Sequence, residues 1–343
     1  MKTNFNTTTK LEDIAKALKV SIATVSRGLA DSPKVKPETK KVILKKAQEM
    51  GYKPNQIAKS LSSGKTNVIG VIIPRFDEPF FIEACRGIDH YARKHNYRMI
   101  ISSSRNSFDF ECENISAFEK GIVDGVILSF THRTSNYEHL KNLVQRNIPL
   151  VLFDNINTKI EGAGHIEIND HEASFKVTCH LLKNNNKIGF IGGTLQKSVF
   201  NKRYNGYLKA LGNDNLDSTI VLSCKSVHQE HEFYEIYSFL SKVKSMPSAF
   251  FCTTDHYAML CIKSLVKLGY KVPNDIEVIG FGNLNFSNLF TPELTTVSQP
   301  SFQMGERAAE MLLSKIHYGF YTKDQQDIIL PTKIIFRETT KTI

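Results

Sequence analysis

Residues 11–30 read LEDIAKALKVSIATVSRGLA, and the spacing within this stretch predicts two short helices joined by a tight turn. Leu11, Ile14, Ala15 and Leu18 fall on one face of a helix over 11–18, with Thr9 placed to cap its start. Lys19 and Val20 form the turn, and Ser21 can cap the second helix. In that second helix Ile22, Val25 and Leu29 cannot all join one wide core-facing stripe. Two such helices across a short turn make a helix-turn-helix. A third helix over Glu38–Met50 is expected to close the core with Val42, Ile43, Leu44 and Ala47, and Gly51 ends it. QIAKSLSSGKT occupies 56–66. It is shorter than the roughly 12 residues an isolated helix needs in water, so it reads as a linker that becomes helical only against a partner.

Charge separates this head from the rest of the chain. The 343 residues carry a net charge of +10, and residues 1–66 hold 14 Lys+Arg against 5 Asp+Glu, leaving 30 against 29 for the remainder. A basic head on a nearly neutral body is the electrostatic footprint of a module that binds a polyanion. No apolar run approaches the roughly 18 residues needed to span a bilayer. The start, MKTNFNTTTK, lacks the apolar stretch of a secretion signal, so the chain is expected in the cytoplasm. Cys85, Cys112, Cys179, Cys224, Cys252 and Cys261 are scattered without metal-ligand spacing and read as reduced, mostly buried residues. No cofactor is expected.

From Asn67 onward short apolar runs alternate with amphipathic helices. The runs expected as strands are 68–74, 97–103, 124–129, 149–154, 165–170, 187–192, 219–223, 248–253, 277–282 and 295–299. Strands this apolar are too hydrophobic to be half exposed, which argues for parallel, doubly wound sheets covered on both faces. Ten strands exceed what one sheet usually holds, so the body divides into two lobes with a cleft outside the carboxyl ends of the strands.

Lys19-Val20-Ser21-Ile22-Ala23-Thr24-Val25-Ser26-Arg27, with LEDIAKAL before it, resembles the lactose/galactose repressor (LacI/GalR) family of bacterial transcription regulators. The resemblance continues in order through VKPETKKVILKKAQEMGYKPNQIAKSL, NVIGVIIP, PLVLFDN, KRYNGYLKAL, DIEVIGF, LTTVSQP and MGERAAEMLL. It implies a small all-α helix-turn-helix head joined to an α/β, two-lobed domain like the periplasmic sugar-binding proteins. The implied organisation is a DNA-binding head over 1–53, a hinge over 54–66, and an effector-binding and dimerisation domain over 67–343. Its first lobe would take about 67–162 and 294–325, and its second about 163–293 and 326–343.

By the same resemblance, Ile22 and Ala23 sit where the family reads bases and Arg27 adds a base-edge contact. The resemblance makes Ser21, Thr24 and Ser26 candidates for backbone or base contacts. Physically, Arg27 could donate both guanidinium nitrogens to one guanine, whereas Ile22 and Ala23 could discriminate only by apolar contact or shape. Asn55, Ala58 and Leu61 match the hinge pattern N-x-x-A-x-x-L, in which paired leucines of a dimer enter the minor groove of a palindromic operator. The effector residues carried over are Phe80, Phe81, Asp154, Asp170, Arg203, Asp255, Asn283 and Gln299. Acidic groups and an arginine with aromatic walls suit a sugar or sugar derivative. The chain departs from the family at Lys19, where a glycine is usual, at Thr254 before Asp255, and at Gly282-Asn283.

Enzyme readings fall away on spacing. SSGKT over 62–66 lacks the earlier glycine and the preceding strand of a phosphate loop, and GFGNLN over 280–285 lacks the third glycine of a dinucleotide loop. A stand-alone sugar-binding protein is the other reading that the body alone would permit. The basic head and the ATVSR motif favour a repressor that binds double-stranded DNA as a homodimer and answers to a small molecule.

Overall fold

The computed structural model describes residues 9–52, 64–131, 133–134, 136–195, 198–212, 220–224, 229–321 and 326–341. Contacts divide the chain into two units, Met1–Thr66 and Asn67–Ile343.

The first unit packs α1 (Leu11–Leu18), α2 (Ile22–Leu29) and α3 (Pro37–Glu49) around a core of Ile14, Ala15, Val25, Val35, Ile43 and Ala47. Gly28 lets α2 approach α3, because a Cβ there would stand 2.5 Å from Ile43 Cδ1. Three details differ from expectation. The residue capping α1 is Lys10, whose N–H donates to Asp13 Oδ2 at 2.8 Å, while Thr9 donates its hydroxyl to the Met50 carbonyl at 2.7 Å and ties the two ends of the bundle. On α3 only Ile43 and Ala47 are buried; Val42 and Leu44 are each 53% exposed, because residues on either side of Ile43 point about 100° away from it. The third helix begins at Pro37, whose fixed φ suits the first helical position.

The second unit holds two six-stranded sheets. The first contains β1 (Val68–Ile73), β2 (Arg98–Ser103), β3 (Gly125–Leu128), β4 (Leu150–Phe153), β5 (Gly164–Ile168) and β11 (Asp327–Leu330) in the order β11-β5-β4-β3-β1-β2, every pair parallel. The second contains β6 (Ile188–Gly192), β7 (Ile220–Ser223), β8 (Ala249–Cys252), β9 (Glu277–Gly282), β10 (Thr295–Ser298) and β12 (Lys333–Ile335) in the order β12-β10-β9-β8-β6-β7. Only β12 runs antiparallel there. The lobes are therefore wound alike, each starting on its second strand from the edge and reversing direction there. That reversal opens a crevice at the carboxyl ends of β1 and β3 in one lobe and of β6 and β8 in the other.

The expected lobe boundaries require correction. The strand at 164–168 and the short edge strand at 327–330 belong to the first sheet, and the strand at 295–298 belongs to the second. The chain thus crosses between lobes near 169, at 299–300 and at 331–332, not at 162, 293 and 325. An apolar strand fits either sheet equally well, so nothing local marks where the chain changes lobe.

In the first lobe α4 (Pro79–Lys94) lies against α11 (Ser301–Tyr318). Their backbones touch at Gly87 and Gly305, where a Cβ would collide with the carbonyl oxygens of Phe302 and Ala84. In the second lobe α7 (Asp170–Leu182) meets α8 (Ser198–Leu211) in the same manner, with Gly206 against the His171 carbonyl. The remaining described helices are α5 (Phe108–Phe118), α6 (Glu138–Gln145), α9 (Gln229–Leu240) and α10 (Asp255–Lys267). All six cysteines are free, four of them buried. No described helix is long and apolar enough to cross a membrane.

Candidate functional sites

On α2 the buried side is Val25 and Gly28, which leaves Ser21, Ile22, Ala23, Ser26 and Arg27 exposed together. Ile22 is 48% exposed. Its side chain stands outside the core of the head, which is built on Val25 from this helix. Ser21 Oγ accepts the Thr24 N–H at 3.1 Å and lies 2.8 Å from the Thr24 hydroxyl, so these two side chains fix the first turn of α2. The structure thus brings together all six of the head residues singled out from sequence in this helix. Asn55, Ala58 and Leu61 lie outside the described residues.

The eight effector candidates separate into different roles. Arg203, 3% exposed, donates Nε to Asp170 Oδ1 at 2.7 Å and Nη1 to the Thr253 carbonyl at 2.6 Å, and its guanidinium carbon stands 3.6 Å from the centre of the Phe281 ring. Burial pushes the Asp170 carboxyl above the ordinary range, opposed by the attraction of Arg203. Through these two bonds the buried arginine joins the start of α7 to the end of β8.

Asp255 is fully buried and already filled. Its Oδ2 accepts from the Leu284 N–H at 2.8 Å and the Ser287 hydroxyl at 2.5 Å, and its Oδ1 accepts from the Thr296 hydroxyl. The carboxylate pins the loop after β9 to the start of α10 through these three donors. Asn283, in the left-handed region at φ 52°, belongs to the same loop, and its Oδ1 accepts from Arg337 Nη2 at 2.7 Å. Phe81 is likewise a core residue, fully buried with its ring centre 6.0 Å from that of Phe153; Phe80 packs on its edge at 5.2 Å and is half-buried. Asp154, 7% exposed at φ 62°, comes directly after β4. Gln299 sits on the crossing between β10 and α11, where it lines a cavity of about 450 Å³ with Ser298, Ser301 and Lys333.

Three residues passed over in the sequence stand out by what they lack. Ser129 Oγ after β3, Asn155 Oδ1 after β4 and Thr253 Oγ1 after β8 are buried with no hydrogen-bond partner. A buried polar atom left unmet costs about 1–3 kcal/mol. All three lie just past the carboxyl ends of strands, and Ser129 and Thr253 occupy equivalent positions in the two lobes. The signal was present in GVILS, LFDN and FFCT, where each is among the first polar residues after an apolar run. Beyond β1, Arg75 Nε donates to Asp77 Oδ1 at 2.7 Å and its Nη2 pairs with Oδ2, which holds the Asp77 carboxyl below the usual range. Among the described residues no group of acidic, histidine or cysteine side chains could hold a metal ion.

Residues 10–55 match the family described as "Bacterial regulatory proteins, lacI family", and residues 180–340 match the "Periplasmic binding protein-like domain". Over 334 residues, 96% of this chain and 98% of the relative, the sequence is 34% identical to Catabolite control protein A of Priestia megaterium. It is 28% identical over 334 residues to the HTH-type transcriptional repressor PurR of Actinobacillus pleuropneumoniae serotype 3, covering 97% of this chain and 98% of that one. Among solved structures, the lac repressor dimer bound to operator and the anti-inducer ONPF is 19% identical, with a TM-score of 0.84 over 98% of this chain and 100% of that one, a likeness of fold. The agreement runs through both units, and this chain belongs to the lacI family of bacterial regulatory proteins, DNA-binding transcriptional regulators and not enzymes.

Proposed function

We propose that the protein is a cytoplasmic repressor that binds a palindromic operator as a homodimer, its affinity set by a sugar or sugar derivative held between the lobes. The observation carrying the effector part is the set of unmet buried polar atoms at the strand ends, Ser129 Oγ, Asn155 Oδ1 and Thr253 Oγ1. Hydroxyl-rich ligands supply both donors and acceptors to such atoms. Arg203 donates to the Thr253 carbonyl and Asp154 adjoins Asn155 in the chain, and in this reading these two, with Asp170, Phe80 and Gln299, supply the further contacts.

For the DNA part, the exposed face of α2 offers Ser21, Ile22, Ala23, Ser26 and an Arg27 guanidinium that has no ion pair among the described residues. Asn55, Ala58 and Leu61 would order as a hinge helix in the minor groove at the centre of the site. Dimer formation meets the need for two half-sites one helical turn apart. The lac repressor, a dimer on its operator, is the fold-level precedent.

The test is selection of duplexes from a random pool by the full chain, then affinity measurements with a panel of sugars and sugar acids. A symmetric site is expected, together with one compound that changes affinity between about five- and 150-fold. Arg27→Ala should relax preference at one base position by about 1–3 kcal/mol. An asymmetric selected site would overturn the dimer, and a panel without effect on either affinity or melting temperature would overturn the carbohydrate effector.

A further inference from the structure

The turn that leads into α2 contains a residue in an unfavourable conformation. Lys19 has φ 54° and ψ 39°, in the left-handed region. It closes α1: the Lys19 N–H donates to the Lys16 carbonyl at 3.3 Å and the Val20 N–H to the Ala15 carbonyl at 3.1 Å. The other described helices that end through this region carry glycine (Gly51, Gly269, Gly319), asparagine (Asn96, Asn147) or aspartate (Asp31). Those residues suit the conformation, glycine because it has no Cβ and the other two because a short polar side chain bonds locally. The end of α3 is a direct comparison within the same small unit. There the Tyr52 N–H donates to the Ala47 carbonyl at 2.9 Å across Gly51 at φ 62°, the same closure with the favoured residue. Lys19 has no conformational reason to occupy its position.

Its side chain has no internal partner either. Lys19 is exposed, and its ammonium makes no ion pair or hydrogen bond among the described residues. Elsewhere in the head Lys40 donates to Asp31 at 2.6 Å and Lys46 to Glu49 at 3.0 Å. A strained backbone carrying an uncommitted charge points to an interaction made outside the folded chain. The location names the chemistry. Lys19 lies two residues before Ser21, which caps α2, and a recognition helix enters the major groove by its first turn. The segment immediately before that turn then passes the wall of the groove, which is phosphate.

We propose that Lys19 is a phosphate-contacting residue which positions α2 on the duplex, and that the head tolerates a strained turn because the ammonium is needed there. The contact is indifferent to base identity, so it sets affinity and register and carries no sequence preference. It rests on the operator-binding reading given above.

Salt dependence separates a contact of this kind from folding and from base reading. With the full chain and the duplex that the wild type selects from a random pool, the slope of log affinity against log salt should fall by about 0.9 in Lys19→Gln. Lys19→Arg should retain the wild-type slope, and base preference should be unchanged in both. Lys46→Gln serves as the head control and should keep the wild-type slope. Lys19→Gly should lose the slope as Lys19→Gln does while slowing hydrogen exchange at the Val20 amide several-fold, so that weaker binding cannot be blamed on a damaged head. A slope in Lys19→Gln equal to that of the wild type overturns the proposal. An equal loss of slope in Lys46→Gln also overturns it, because the effect would then be diffuse charge. If the wild type enriches no duplex, the operator reading fails first and takes this one with it.

Discussion

The two lobes solve the same problem with different chemistry. Each ties down a loop at the carboxyl end of its sheet with a fully buried carboxylate. In the first lobe this is Glu111 of α5, which accepts from the Thr131 N–H at 2.9 Å and from the Thr134 hydroxyl at 3.0 Å, and stands 3.0 Å from His139 Nε2. In the second it is Asp255, at the first position of α10, whose donors are an amide and two hydroxyls. Glu111 thus has a partner able to carry positive charge, 12% exposed at its side chain, whereas Asp255 has only neutral donors. Burial pushes the Asp255 carboxyl above the ordinary range, and its hydrogen bonds oppose that rise. The difference teaches that a loop at the carboxyl end of a sheet can be anchored either through a partly exposed histidine or through neutral donors alone, with the second more sensitive to loss of its centre.

Removing each centre is the sharpest way to break that comparison. Asp255→Ala strands three donors, two of them on the buried residues Ser287 and Thr296, and should destabilise the body by about 3 kcal/mol. Glu111→Ala should cost less, about 2 kcal/mol, because one of its three partners, His139, is partly exposed. Urea midpoints of the two variants decide it, and the reverse order would mean that the first lobe carries the more sensitive network.

The glycine crossings should behave alike in the two lobes. Gly87→Ala and Gly206→Ala each drive a Cβ into a backbone carbonyl, which cannot rotate away. Each should cost about 1–3 kcal/mol, read from the same midpoints. A cost confined to one lobe would show that its helix pair can slide.

A smaller contrast appears with pH. His165 on β5 is 5% exposed; its Nε2 accepts the Ile160 N–H at 3.0 Å and its Nδ1 lies 2.9 Å from Asp327 Oδ1 on β11. Burial lowers its affinity for a proton despite the attraction of Asp327. The unfolded chain therefore takes up the proton first, and stability should fall as pH drops through about 6.5. Melting temperature measured from about pH 8 to about pH 5.5 should decline less in His165→Gln than in the wild type.

The smallest effects on stability belong to Ser129→Ala and Thr253→Val. Each removes a hydroxyl that has no partner, so the change should lie within about 0.5 kcal/mol of zero or favour the folded state. Both should nevertheless abolish the response to the effector. Loss of the response in one variant alone would place the ligand in a single lobe.

Much of the fold was legible because its signals are local. Ile14, Val25 and Ile43 are buried as helical spacing demands, and ten apolar runs became strands within one or two residues of their expected ends. The strands at 327–330 and 333–335 escaped notice because each is only three or four residues long, the two are parted by Pro331-Thr332, and neither has a fully buried residue. The sites were less legible. Arg203 and Asp170 were identifiable as residue types, but Asp255 reads as the same kind of strand-end acid, and only its donors at positions 284, 287 and 296 distinguish it.

By itself the sequence determined a basic three-helix head, an alternating α/β body and membership of one regulator family, since charge, periodicity and capping act between near neighbours. Tertiary structure alone decided which sheet received β5, β10 and β11, which carboxylates were filled from within, and which hydroxyls were left unmet. Those outcomes depend on groups brought together from distant parts of the chain, where the free energy of a polar atom is set by whether a partner arrives.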